Sequence, residues 1–194
     1  QTCALPISLG YRVRANSEGI LRHALNTYQE NDFQKCHESY PLLTQWLDVA
    51  ACQELAPGSI EKPGLWIKQG MTIDTLNYLQ GLWQACAALG AQFQVKQIRT
   101  LDDLSMYDAV MLTTGADSFK ISELSTIPMR LVKGQILELE WPRNLAPLTC
   151  ALNSHVYIVM APGGNSCIVG ATYEKGFQHA DCALEVAKAE LLPK

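Results

Sequence analysis

The sequence predicts a mixed α/β (α+β) fold, on three observations. A capped amphipathic helix from Asp74 is followed by a strand pattern, a short connection and a second strand pattern. That is the rhythm of a nucleotide-binding sheet. Beyond residue 128 the rhythm changes to long alternating runs and a Gly-rich hairpin, which read as an antiparallel sheet. Finally, 48% hydrophobic and 18% charged residues in a chain of 194 give an ordinary globular balance, enough for one sizeable domain or parts of two.

The first residues, Gln1 to Ile7, carry no helix or strand period and resemble the translation of a sequencing adapter, so residues 1–8 are expected to be a non-native scar. Tyr11–Arg14 alternates and is expected to pair with Gly19–Leu25 across an Asn16–Gly19 turn. From Asn31 to about Leu47, Phe33, Cys36, Tyr40, Leu43 and Leu47 form a helical stripe, with a break or kink near Tyr40 because Pro41 follows. Val49 to Leu55 reads as a short helix stopped by Pro57-Gly58, and Gly64–Ile67 as a brief strand.

The clearest helix has Asp74 as N-cap, Leu76, Leu79, Trp83, Cys86 and Leu89 on one face, and Gly90 as its stop. Phe93–Ile98 alternates as a strand, and Leu101–Leu104 forms a loop or helical turn. In Tyr107–Asp117, the apolar run Ala109–Leu112 closes on Thr113-Thr114-Gly115. That suits a buried strand whose glycine lets the backbone turn or approach a ligand. Met129–Glu140 is expected to be one long strand, with Lys133 pointing to solvent. His155–Met160 and Ser166–Ala171 form a hairpin around Ala161–Asn165, and a last helix from Ala180 carries Cys182, Val186, Ala189 and Leu192 on its apolar side.

The formal net charge is −4, and no Lys/Arg cluster exceeds a pair, so no nucleic-acid partner is expected. No apolar stretch is long enough for a membrane span. The seven scattered cysteines contain no C-x-x-C pair, so reduced, mostly buried thiols in a cytoplasmic protein are expected, with no metal centre.

Taken in order, GILRHAL, GLWIKQGMTIDTLNYLQGLWQACAALGAQF, YDAVMLTTGAD, PMRLVKGQILELEWP and VYIVMAPGGNSCIVGATYEKGF resemble the D-amino-acid oxidase and glycine oxidase family of FAD-dependent oxidoreductases. The most specific parts are Val132–Gln135 and the pairing of Val156–Val159 with Val169–Thr172. The resemblance implies a Rossmann-like FAD-binding domain interleaved with an antiparallel-sheet substrate domain. Residues 9–73 would be substrate domain, 74–120 a returning segment of the FAD-binding domain, and 121–194 substrate-domain sheet and helix. Thr114 and Gly115 match the strand end that lies against FAD, and Ile98 falls near the position where backbone meets the adenine end. Tyr157 matches the tyrosine whose hydroxyl holds the substrate carboxylate, while Thr172 and Glu174 match structural positions. No catalytic side-chain base is expected.

Two departures accompany the match. Met160-Ala161-Pro162 stands where relatives have Pro-Arg, and no G-x-G-x-x-G occurs. The FAD fingerprint is therefore expected upstream and a carboxylate-clamping arginine downstream, in a parent truncated here at both ends. The implied activity is FAD-dependent oxidation of the C–N bond of an amino acid or related amine by hydride transfer to flavin in the parent, with this fragment alone expected to be inactive. Alternatives are a flavin-free binding or structural module and the oxidase domain of a tRNA-wobble-uridine modifier.

Overall fold

A computed structural model describes residues 15–194. The expectations for residues 1–8 and for the Tyr11–Arg14 strand lie outside the described residues. The core is a seven-stranded mixed sheet ordered β3-β4-β2-β8-β9-β10-β7. Its strands are β2 (Ile20–His23), β3 (Thr44–Leu47), β4 (Gly64–Ile67), β7 (Ile136–Glu140), β8 (Ala151–Asn153), β9 (Tyr157–Met160) and β10 (Ser166–Gly170). All neighbours are antiparallel except β2 and β8, which run parallel. Two short ribbons flank it: β1 (Ala15–Asn16) with β5 (Thr72–Ile73), and β6 (Val132–Lys133) with β11 (Glu174–Lys175).

Among the described residues, four α-helices follow local capping rules to different degrees. In α1 (Thr27–Ser39), the Asn26 side chain accepts from Gln29 N; in α2 (Val49–Leu55), Asp48 accepts from Ala51 N; in α3 (Thr75–Ala88), Asp74 accepts from Asn77 N. Gly90, at φ +90°, ends α3 as the sequence predicts. The fourth helix, α4 (Leu184–Leu191), has no side-chain cap of its own element.

The helices cover the sheet unevenly. Cys52 of α2 packs with Leu21, Leu47 and Leu152, while Ala187 and Leu191 of α4 pack with Leu137, Cys167 and Val169. Both clusters share Trp141, Ile158 and Met160, so α2 and α4 lie on one face. Phe33 of α1 packs on Leu65, Trp46 and Ile67, which point to the other face. Leu21 is fully buried at the centre; sealing a leucine this way contributes roughly 1.5–3 kcal/mol. The Cys52, Cys150 and Cys167 thiols are buried and free. Burial, helped by the Asp48 charge, pushes Cys52 up to about 11.

Several expectations are corrected. The Asn16–Gly19 turn exists, with Glu18 N donating to the Asn16 side chain and Gly19 at φ +90°. Strand β2, however, pairs with β4 and β8, because that is where Leu21 can be sealed. The helical stripe does stop at Tyr40, but Pro41 begins a turn and 44–47 become a strand against β4. Leu47 is thus core, whereas Leu43 is exposed.

Phe93–Ile98 and Ala109–Leu112 join no ladder, since no described segment offers them backbone partners. Leu101–Leu104 is a 3-10 turn, as read. The long Met129–Glu140 strand splits at Gly134-Gln135 into β6 and β7, which serve different partners. The hairpin of β9 and β10 forms as expected. On α4 the buried side is Ala187 and Leu191, while Cys182, Val186, Ala189 and Leu192 are exposed. The contact stripe is thus rotated by one position from the expected one.

Candidate functional site

Register places one row of residues straight across the sheet. Leu65 faces Arg22, Arg22 faces Asn153, Asn153 faces Tyr157, Tyr157 faces Gly170, and Gly170 faces Ile136. Side chains of directly paired residues share a face, here the one opposite α2 and α4. Over β8, β9, β10 and β7 no helix among the described elements covers this face. Ile136 and Tyr157 are exposed there.

Tyr157 is held by its neighbour. A Cβ built on Gly170 would lie 2.5 Å from the Tyr157 Cζ and hydroxyl, and 2.8 Å from Ile136 Cγ2. The missing side chain is therefore what lets the phenol lie across β10. Its hydroxyl makes no hydrogen bond to any described residue, so it faces the open surface as a neutral donor.

Just beyond that row lies a tight polar knot. The Thr172 hydroxyl accepts from Gln135 N at 2.9 Å and donates to Glu174 Oε1 at 3.1 Å. Gln135 Nε2 donates to the same oxygen at 2.7 Å, and Gln135 Oε1 accepts from Ala183 N at 2.6 Å. Lys133 reaches Glu174 Oε2 at 3.8 Å with its side chain 9% exposed. This corrects the expectation that Lys133 points to solvent: the β6–β11 pairing sets it directly opposite Glu174, whose carboxylate offsets its charge. Thr172 and Glu174, expected at structural positions, both take part in this knot.

The second half of the site lies in residues 91–129. Ile98 is half-buried and lines a groove of about 370 Å³ with Gln94, Lys96, Leu104, Tyr107 and Val110. Thr114 and Gly115 lie past its end, both exposed. The Ser118 hydroxyl donates to Gly115 O at 2.8 Å and so accepts from Thr114 Oγ1 at 2.7 Å. Gly115 sits at φ +54°, and a Cβ there would meet nothing within 4 Å. The glycine thus serves the sharp turn and presents bare backbone to open space. The structure brings Ile98 beside the 107–111 segment, with the Thr114–Gly115 turn next along the chain. Among the described residues it joins neither to Tyr157 by a hydrogen bond. A wider depression of about 900 Å³, lined by Trp141, Arg143, Pro147 and Gly164, holds none of these residues.

The family model described as DAO, FAD dependent oxidoreductase, matches residues 7–193. The chain belongs to this FAD-dependent oxidoreductase family. Among solved structures it is similar to glycine oxidase from Geobacillus kaustophilus, with a TM-score of 0.79 and 18% identity over 97% of this chain and 56% of that one. It is also similar to iminodiacetate oxidase from Chelativorans sp. BNC1, with a TM-score of 0.73 and 18% identity over 97% of this chain and 58% of that one. L-proline dehydrogenase from P. horikoshii follows, at 0.62 and 12% identity over 90% of this chain and 54% of that one. At such identities the likeness is one of fold. The chain spans little more than half the length of each of these structures. Comparison of the sequence with curated proteins finds no match.

The family's cofactor is FAD, and the local geometry fits it. The Thr114–Gly115 turn offers uncluttered backbone, and Ile98 borders the adjoining groove. No described helix is long and apolar enough to cross a membrane. Sequence reasoning missed the sharing of one row by Tyr157, Arg22 and Asn153, because a parallel pairing between distant segments leaves no local signature.

Proposed function

We propose that the protein oxidises the C–N bond of an amino acid or related amine, with the described sheet as the substrate platform. FAD, when bound, supplies the hydride acceptor. Every other task belongs to the polypeptide. The bare backbone at Thr114 and Gly115, with Ile98 beside it, holds the edge of the cofactor. Tyr157 donates its hydroxyl proton in a hydrogen bond to the substrate carboxylate, which fixes the α-carbon relative to the cofactor. No side-chain base is assigned, since no titratable group stands beside Tyr157 in its row. The outer face of β9, β10 and β7 supplies an apolar floor through Val159, Ile168 and Ile136.

The observation that supports this reading best is the Tyr157 phenol, unpaired and laid over Gly170 on the uncovered face. In the intact protein, Tyr157→Phe is expected to raise KM for an amino-acid substrate about 5- to 30-fold, equivalent to losing about 1–2 kcal/mol of hydrogen bonding. Steady-state kinetics on the flavin-loaded enzyme measure this, and an unchanged KM would remove Tyr157 from the substrate site.

A further inference from the structure

We propose that Arg22 is a specificity-determining residue that binds a second, distal anionic group of the substrate. The inference rests on the oxidase reading above and narrows its substrate class to amines bearing two separated acidic groups.

Arg22, Asn153 and Tyr157 occupy successive in-register positions on β2, β8 and β9 and therefore stand on one face. All three are exposed, and none of their side chains makes a hydrogen bond or ion pair with a described residue. Three neighbouring strands thus present a cation, an amide and a phenol, all left free for something outside the sheet. The Arg22 guanidinium is nonetheless not loose. Its Cζ lies 5.0 Å from the centroid of the Phe33 ring, and Phe33 is itself buried in the α1 contact. Helix α1 therefore forms a wall at one side of the open surface, and Arg22 stands at its foot with its orientation partly fixed.

The charge is uncompensated. Of the acids on the same face, Glu138 and Glu140 both lie on the far strand β7, and Glu138 is engaged by the Ser166 hydroxyl at 2.7 Å. No described carboxylate lies within ion-pair distance of Arg22. Two strand spacings separate Arg22 from Tyr157, roughly 10 Å between their backbones. Tyr157 leans toward Gly170, away from Arg22. One carboxylate cannot satisfy both groups. A substrate with its α-carboxylate at Tyr157 and a distal carboxylate at Arg22 spans the row, with Asn153 between them able to donate to either. A guanidinium binds a carboxylate through two parallel N–H groups, so the distal site discriminates by charge and by planarity.

The test uses the intact, flavin-loaded protein and matched substrate pairs: glutamate against glutamine, and 2-aminoadipate against its side-chain amide, each as both enantiomers. The wild type is expected to favour the acid over the amide at least tenfold in kcat/KM, and the preference is expected to shrink as salt is raised. Arg22→Met should abolish the preference by lowering kcat/KM for the acid alone, and Arg22→Lys should retain part of it. A wild type indifferent to the distal charge overturns the proposal without any variant. An Arg22→Met enzyme that keeps the preference, or loses acid and amide equally, overturns it too. If these substrates and simple neutral amino acids and amines all go unoxidised, the oxidase reading itself fails, an outcome distinct from turnover without charge preference.

Discussion

His23 shows how much a single residue on β2 can set. It is buried, its Nδ1 lies 3.1 Å from Lys62 O, and its Nε2 has no partner. Since a carbonyl can only accept, the Nδ1 tautomer carries the proton and donates it to Lys62. Burial disfavours the imidazolium and holds the pKa below its ordinary 6.5, against a smaller opposing effect of the Lys62 hydrogen bond. The folded state therefore resists protonation more than the unfolded chain does. Its contribution is complete above about pH 6.5 and is lost as pH falls from there toward the depressed folded value. Urea midpoints of the wild type should fall between pH 7.5 and 5, and His23→Phe should flatten that part of the profile. A variant whose midpoints track those of the wild type across this range would show that another group sets the dependence.

At the scale of elements, Gln135 does work usually left to a helix's own cap. The N-cap position of α4 is Ala183, which has no side-chain oxygen, and Gln135 Oε1 from the β6–β7 break accepts the Ala183 N–H. The same side chain donates to Glu174, so one residue ties β7, β11 and α4 together. Gln135→Ala should destabilise the fold by about 1–3 kcal/mol, because the half-buried Ala183 N–H loses its partner and Glu174 loses one of its donors. Denaturant unfolding of the variant measures it; a change below about 0.5 kcal/mol, the range of ordinary surface substitutions, would mean water replaces the amide at little cost. The sequence made Val132–Gln135 the most specific stretch of the family resemblance but did not reveal this role, since it joins residues brought together only by folding. Elements with local signals were legible: Asp74 and Gly90 bracket α3, and the Pro-Gly-Gly loop marks the β9–β10 hairpin. Strands β3 and β8 were not, being short runs defined by distant partners. The candidate site divides the same way. Gly115 could be read from its turn, and Tyr157 from the family resemblance. The row linking Tyr157 to Arg22 depends on the parallel β2–β8 register, which no local pattern encodes.

Across the whole molecule, the apolar stripe expected on α3 turns out to be largely exposed, and the buried positions of the helix are Gly81 and Ala85 instead. Leu76 and Leu89 are about three-quarters exposed, at 75% and 74%, and Leu79 and Trp83 remain exposed as well. Trp83 meets Phe93 edge-on at 5.4 Å, and Phe93 is itself exposed. Val95 and Met111 are each 88% exposed in the two segments that form no ladder. An apolar surface of this extent marks an interaction site or an association hazard, and the chain covers only 56% and 58% of the solved structures it matches. The 194-residue chain by itself is therefore expected to bind a hydrophobic dye such as ANS, to self-associate, and to hold no FAD of useful affinity. Leu79→Glu combined with Trp83→Glu should reduce association while leaving the far-UV circular dichroism unchanged, because neither side chain contributes to the sheet core. Gel filtration, dye fluorescence and the visible spectrum read these outcomes together. A monodisperse, yellow protein with a flavin absorbance band would contradict this expectation and show that the 194-residue chain binds the cofactor by itself.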